Sequence, residues 1–347
     1  MEKRMKGYLG TYTKRNSEGI YSFELDMHSG TIEKVALAAK LERPTYVTLS
    51  EDKSLLLSVM KQDGRGGVSV FGLPDKGDNL EIIAETTHSD ISSCHISIAR
   101  GNDYVVVSNY HEGSVELYKY DKEANSIKFV TSVFHEGSGP NKDRQEGPHV
   151  HFADFTPDQR YVVVVDLGVD EILTYEIKND TFVKAATLQV APGSGPRHLV
   201  FHPNGTIAYV MTELSSEVLT LQFDAKTGSF EKIQQISTIP NDFVDNNQGS
   251  AIRISKDGKF VYAANRGHNS IAVFQVSEDN GLLSFVEWIS TEGDWPRDFN
   301  LDPTDQYVVV ANQETDSIVL YQRNQATGKL TLKQGPIEVL EPICVMF

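Results

Sequence analysis

Cysteine and tryptophan are scarce in this chain, with two of each among 347 residues. So few cysteines exclude a disulfide-built scaffold; Cys94 and Cys344 both fall in apolar strand contexts and read as free thiols of a reducing, cytoplasmic compartment. Neither Trp288 nor Trp295 is followed by aspartate, which removes the WD-type repeat signature. Positive charge is also short. Lys and Arg number 32 against 48 Asp and Glu, for a formal net charge of −16, and so acidic a surface argues against nucleic acid and anionic membranes as partners. No apolar run approaches the ~18 residues of a membrane span. The basic start over residues 1–13 runs into a strand pattern without the apolar centre of a secretory leader. Helical periodicity is weak throughout, whereas Val- and Tyr-rich runs at 104–108, 161–166, 260–265 and 307–312 are bounded by Asp, Gly and Asn. An all-β chain is expected.

What the chain does contain is a repeat. Six stretches beginning at Pro44, Ser92, Val150, Pro196, Gly249 and Pro296 share apolar alternation, a polar turn and a Val/Tyr-rich strand. Residues 196–212 and 296–312 align without a gap. The starts lie 46 to 58 residues apart, the spacing of four-stranded propeller blades. The longest interval holds a polar, Gly-rich stretch over 135–147, read as a surface loop. Residues 342–347 resemble the first strand of a further repeat, and the N-terminal segments 8–13, 19–25 and 31–38 resemble its second, third and fourth. These sum to a seven-bladed β-propeller of four-stranded antiparallel blades, one domain over 1–347, its seventh blade closed by strands from both termini.

In a propeller, equivalent positions of successive repeats form rings about the central channel, and a channel mouth is the usual ligand site. One ring holds Thr45, Ser93, His151, Arg197, Ser250 and Arg297. The ends of the second strands supply another, with Asn109, Asp166, Glu213, Asn265, Arg266, Asn312 and Gln313. An acidic protein that gathers Arg197, Arg266, Arg297 and His151 about one opening is expected to bind a small anion there. Arginine suits the task because its planar fork grips phosphate or carboxylate with two hydrogen bonds and stays charged.

Each candidate also has a structural reading. His149 and His151 form an H-x-H pair that would point both rings to one side of a strand, yet no third metal ligand lies nearby, so neither metal nor cofactor is expected. His198 and His202 read as packing or turn residues, although His198 adjoins Arg197 and is also a candidate ligand contact. Asp166 fits a turn acceptor as well as a binding residue. Glu213 stands where other repeats carry Asn or Gln, and an acid buried there without an arginine partner would be costly.

The segments GPRHLVFHPNG from Gly195, TELSS from Thr212, PHVH from Pro148 and ANR from Ala264 resemble the propeller-type 6-phosphogluconolactonases, a family also similar to fungal carboxymuconate cyclases. The resemblance implies a lactone substrate. In the related cyclases a His, a Glu and two Arg carry the active site, which would correspond here to His149 or His151, Glu213, Arg197 and Arg266. Hydrolysis of a sugar δ-lactone requires an activated water and positive charge where the oxyanion develops. His151 or Glu213 would serve as base with the other orienting it, Arg197 would stabilise the oxyanion, and Arg266 and Arg297 would hold the phosphate, with His198 and Asp166 as further contacts. The expected partner is a small anionic phosphorylated sugar lactone, 6-phosphogluconolactone being hydrolysed to 6-phosphogluconate by a monomer or weak homodimer. The rival readings are a cycloisomerase of a carboxymuconate-like dicarboxylate and a non-enzymatic binding scaffold.

Overall fold

The second strand of each repeat is apolar almost without alternation, as a strand must be when both its faces are covered. Val105 to Val107, Val162 to Val165 and Val308 to Val310 are all essentially inaccessible to solvent. Outer strands such as Thr181–Gln189 are instead largely exposed, with Phe182 buried and Ala186 and Leu188 half-buried. The computed structural model describes residues 4–73 and 79–347, and among these there is no helix.

Seven four-stranded antiparallel sheets form the seven blades. Blades 1 to 6 take their innermost strands from Val47–Leu49, His95–Ile98, Val150–Phe155, Pro196–Phe201, Gln248–Ile254 and Pro296–Leu301. In blade 7, Pro342–Met346 pairs with Arg4–Thr11, which continues through Gly19–Asp26 to Thr31–Lys40. The innermost strand of each blade touches its neighbours, and that of blade 7 touches that of blade 1, so the ring is closed. The expected termini-built blade is present. Residues 1–3, part of the basic start, lie outside the described residues.

The core is divided among the interfaces between adjacent blades. Phe152, Val163, Ile172, Val210 and Leu221 fill the gap between blades 3 and 4, for example, and Ala251, Tyr262, Val273, Phe299 and Val310 that between blades 5 and 6. Turns between first and second strands repeat one device. Ser50, Thr156 and Ser255 each donate a 2.6 Å bond to Asp52, Asp158 and Asp257, and accept the amide that opens the next strand. These turns carry structure, and Asp302 caps its own turn by accepting from the amides of Gln306 and Tyr307.

Five innermost strands break register near their entry to the channel. The extra residue is His151 in blade 3, Arg197 in blade 4 and Arg297 in blade 6, while in blade 5 Ser250 and Ala251 together oppose Ala264. Blade 7 shifts likewise at Ile343. A bulged residue leaves the ladder and its side chain is re-aimed. Three of these bulges direct a His or Arg toward the axis.

Candidate functional site

Every blade contributes to a cleft of about 430 Å³ at one mouth of the channel, within the usual size range for a small-molecule site. Its lining carries seven cationic side chains, Lys14, Arg43, Lys61, Arg144, Arg197, Arg266 and Arg297, against three carboxylates, Asp90, Glu213 and Asp298. One of those acids is already matched from beneath the cleft, since Asp298 Oδ1 accepts from Arg253 Nη2 at 2.8 Å. The cationic excess occurs in a chain of net charge −16.

Glu213 is the centre of the arrangement. Its Oε2 lies 2.6 Å from Arg266 Nη2, and its Oε1 accepts from Arg144 Nη2. Arg197 Nε stands 3.0 Å from the same Oε2, an ion-pair distance at which its N–H is not aimed along a hydrogen bond. Burial alone would raise the Glu213 pKa, but the guanidinium groups of Arg266, Arg197 and Arg144 outweigh it and hold the carboxyl well below its ordinary range. Burial first, then the adjacent Arg266, pushes Arg197 down to about 9, which leaves it cationic at neutral pH. Arg266 is fixed by its bond to Gly249 O at 2.7 Å and packs over the Trp295 ring. Arg297 lies over Tyr12 and reaches Gln313 Oε1 at 3.4 Å.

The floor is aromatic. His151 packs edge-on against His198 with centroids 5.1 Å apart, His198 lies 5.6 Å from His95, and Tyr46 and Phe152 enclose them. His198 Nε2 faces Arg197 Nη1 at 3.3 Å, so it acts as acceptor and the ring proton is assigned to Nδ1. Nδ1 of His95, His151 and His198 are all buried without a protein partner among the described residues. Burial, reinforced by nearby arginines, pushes His95 down to about 3 and His151 and His198 well below 6.5. These imidazoles are neutral at pH 7.

A stability consequence follows by linkage. Below about pH 6.5 the unfolded chain takes up protons on three imidazoles that the native state leaves neutral, so stability falls as pH drops. The slope is up to roughly 1.4 kcal/mol per pH unit for each group. Urea midpoints should decline between pH 7 and 5, and His95→Phe should flatten the decline. Equal slopes in wild type and variant would show that His95 is protonated in the native state.

The strand-end ring separates into two levels. Asn109, Asp166, Asn265 and Asn312 are fully buried and tie down loops: Asn265 Nδ2 donates to Thr238 O at 2.9 Å, and Asn312 Nδ2 to Thr291 O at 2.8 Å. Asp166 accepts from the amides of His149 and Gly168 and lies 2.7 Å from His135 Nδ1, so as a binding residue it is corrected to a loop anchor away from the cleft. The residues one step further along, Tyr12, Tyr110, Glu213 and Arg266, are those that line the cleft. In the other ring, Ser250 is turned away and bonded to Pro296 O at 2.7 Å. The H-x-H pair is likewise split. His151 lines the cleft, whereas His149 stacks on Tyr110 at 4.2 Å, with Nδ1 at 2.9 Å from Tyr110 O and Nε2 at 3.2 Å from Glu146.

Sequence reasoning missed Arg144, Tyr110 and Trp295. Arg144 belongs to the long interval before blade 3, which is an ordered strap. Gln145 is fully buried in it, donating to Leu167 O at 2.9 Å, and its backbone bonds Asn141 and Gly139. The usable signal was the excess length of that one interval, since long insertions in compact folds are commonly functional.

A model of the family described as "Lactonase, 7-bladed beta-propeller" matches residues 6–347. The 6-phosphogluconolactonase of Bacillus subtilis strain 168 is 47% identical over 341 residues, spanning 98% of this chain and 97% of that protein. A protein from Lactobacillus plantarum superposes with a TM-score of 0.94 at 38% identity, covering 99% of both chains. The periplasmic gluconolactonase PpgL of Pseudomonas aeruginosa superposes with a TM-score of 0.92 at 28% identity, over 99% of this chain and 98% of that one.

Proposed function

Because this chain belongs to the family of seven-bladed β-propeller lactonases, we propose that its cleft hydrolyses the δ-lactone of a phosphorylated sugar acid, 6-phosphogluconolactone to 6-phosphogluconate. The observation that carries the reading is the cluster of arginines around one buried carboxylate, in a cleft whose cations outnumber its acids by seven to three. Such a site attracts a dianionic phosphate and stabilises an oxyanion in the same space.

Water adds to the lactone carbonyl carbon. The oxygen that becomes negative is held by the guanidinium groups of Arg197 and Arg266; the buried Nε–H of Arg197, which has no aligned acceptor of its own, is suited to that atom. The water proton passes to the neutral imidazole of His151. The ionised Glu213 favours the resulting imidazolium, since it raises the His151 pKa against the opposing arginines. The ring C–O bond then breaks, His151 returns the proton to the departing ring oxygen, and the new carboxylic acid gives up its remaining proton to solvent, so that the product leaves as a carboxylate. His151 and Glu213 are both weak bases in these surroundings, so fixed positive charge supplies most of the acceleration. A lactone that hydrolyses unaided needs no covalent nucleophile. Arg297, on the Tyr12 ring, faces the phosphate, and His198 holds Arg197 from below.

All seven blades that form the cleft come from one chain, which supports action as a monomer. Two unpaired thiols, Cys94 and Cys344, fit a cytoplasmic enzyme of the pentose phosphate pathway. Purified protein should remove 6-phosphogluconolactone faster than the enzyme-free rate, and at least ~10-fold more efficiently than glucono-δ-lactone, the ratio expected from one charge-assisted hydrogen bond to phosphate. A muconolactone should be inert. Loss of the phosphorylated lactone at the spontaneous rate, or preferential conversion of the muconolactone, would overturn the reading.

A further inference from the structure

Glu213 divides its two oxygens between unlike partners. Oε2 faces Arg197 and Arg266, whose side chains are each 3% exposed. Oε1 faces Arg144, which is 30% exposed and belongs to the strap. The strap's backbone is fixed beside that arginine: Gln145 is buried against Leu167 O, and Gly139 packs so closely on the Gln145 amide that a Cβ there would lie 2.4 Å from it. Arg144 is therefore a partly exposed guanidinium on an anchored chain, bonded to Glu213 and to the Tyr110 side chain, and it can change partners by rotating its own side chain. Its position poses a chemical difficulty for the hydrolysis. A carboxylate matched by three guanidinium groups has little remaining field with which to support an imidazolium at His151.

We propose that Arg144 makes turnover depend on the phosphate of the substrate: it stoppers Glu213 Oε1 in the arrangement seen here and leaves that oxygen for the phosphate when a phosphorylated lactone binds. The inference rests on the lactonase reading and assigns it a specificity-determining residue. A phosphate dianion outcompetes a carboxylate for a guanidinium fork because it carries more charge and more acceptor oxygens. Once Arg144 has moved, Glu213 keeps its two buried partners and regains net negative charge on the side of Oε1. His151 then becomes a better proton acceptor as the phosphate is engaged. An unphosphorylated lactone would enter the same cleft but leave the stopper in place. The phosphate thus contributes to the chemical step as well as to affinity.

The test separates the two sources of that effect by supplying the phosphate as a piece. In wild type, phosphite added in trans should accelerate enzyme-dependent hydrolysis of glucono-δ-lactone several-fold, measured above an enzyme-free control containing the same phosphite. Arg144→Ala should show no phosphite response and should lose about 10- to 100-fold more in kcat/KM for 6-phosphogluconolactone than for glucono-δ-lactone, the range for one hydrogen bond to a charged group. Arg144→Lys, which keeps the charge without the fork, should retain a reduced response. Equal losses on both substrates in Arg144→Ala, with an unchanged thermal midpoint, would reduce Arg144 to a structural role. An undiminished phosphite response in that variant would also overturn the proposal. Wild-type protein inert toward both lactones would instead refute the lactonase reading, and this inference with it.

Discussion

Glu213→Gln should lower turnover of the phosphorylated lactone by ~10²-fold or more, the scale of losing a charge that supports general-base catalysis. The substitution keeps the shape of the side chain and removes its charge. Arg197 and Arg266 then lie buried at one end of the cleft without a counter-ion, and an amide nitrogen can meet guanidinium donors with nothing to accept. Removing one partner of a buried ion pair costs about 3–5 kcal/mol. For a chain of 347 residues that is a fall in thermal midpoint of about 4–7 °C at ~2.1 cal/mol/K per residue. Two further signs distinguish this from general damage. Affinity for a non-hydrolysable phosphosugar should rise, because the anion no longer competes with a carboxylate for the arginines. The acid limb of the stability curve should also shrink. A carboxyl held well below its ordinary range contributes stability that is complete above the unfolded pKa of about 4.3 and is lost as pH falls toward the folded value; glutamine has no such dependence. Wild-type turnover in this variant would remove Glu213 from the chemistry altogether.

Arg197→Ala should act on kcat, with a loss of about 10²- to 10³-fold, the usual cost of deleting one donor to a developing oxyanion. KM should move little, because the charge that attracts phosphate is spread over Arg297, Arg266 and the rim. Arg297→Ala should show the reverse pattern. That side chain rests on Tyr12 with no carboxylate partner closer than 4 Å among the described residues, and its loss should weaken binding by about 1.5–3 kcal/mol with kcat nearly retained. Steady-state kinetics on the two variants decides the matter. The same kcat loss in both would mean that the bulged arginines of blades 4 and 6 do one job together.

The blade count was readable because each repeat buries a strand on both faces, and such strands leave Val- and Tyr-rich runs at nearly constant spacing. The ring that contains His151, Arg197 and Arg297 was readable for the same reason. What escaped was decided by single-residue steps. A strand's side chains alternate, so Asp166 and Glu213, one position apart in register, face a loop and the cleft respectively. Sequence patterns carry no such offset when the strand ends. His149 and His151 should have shared a face, but the bulge after Val150 breaks the alternation and the two rings part. Arg144 was hidden for a different reason. Its segment has no period, and its partner Glu213 is 69 residues away along the chain.

The closure of blade 7 has a consequence for synthesis. Strand Arg4–Thr11 is made long before its partner Pro342–Met346, which lies at the other end of the seven-blade ring. At ~5–20 residues per second, the edge of the first strand waits on the order of tens of seconds for its neighbour. Blades 1 to 6 take all four strands from contiguous sequence and can form in order as they leave the ribosome. Blade 7 must remain a three-stranded sheet with an open inner edge until Pro342–Met346 has been made. A nascent chain stalled short of residue 342 would therefore present an unpaired strand edge to its neighbours on the same message, and that is where misassembly in crowded polysomes would begin.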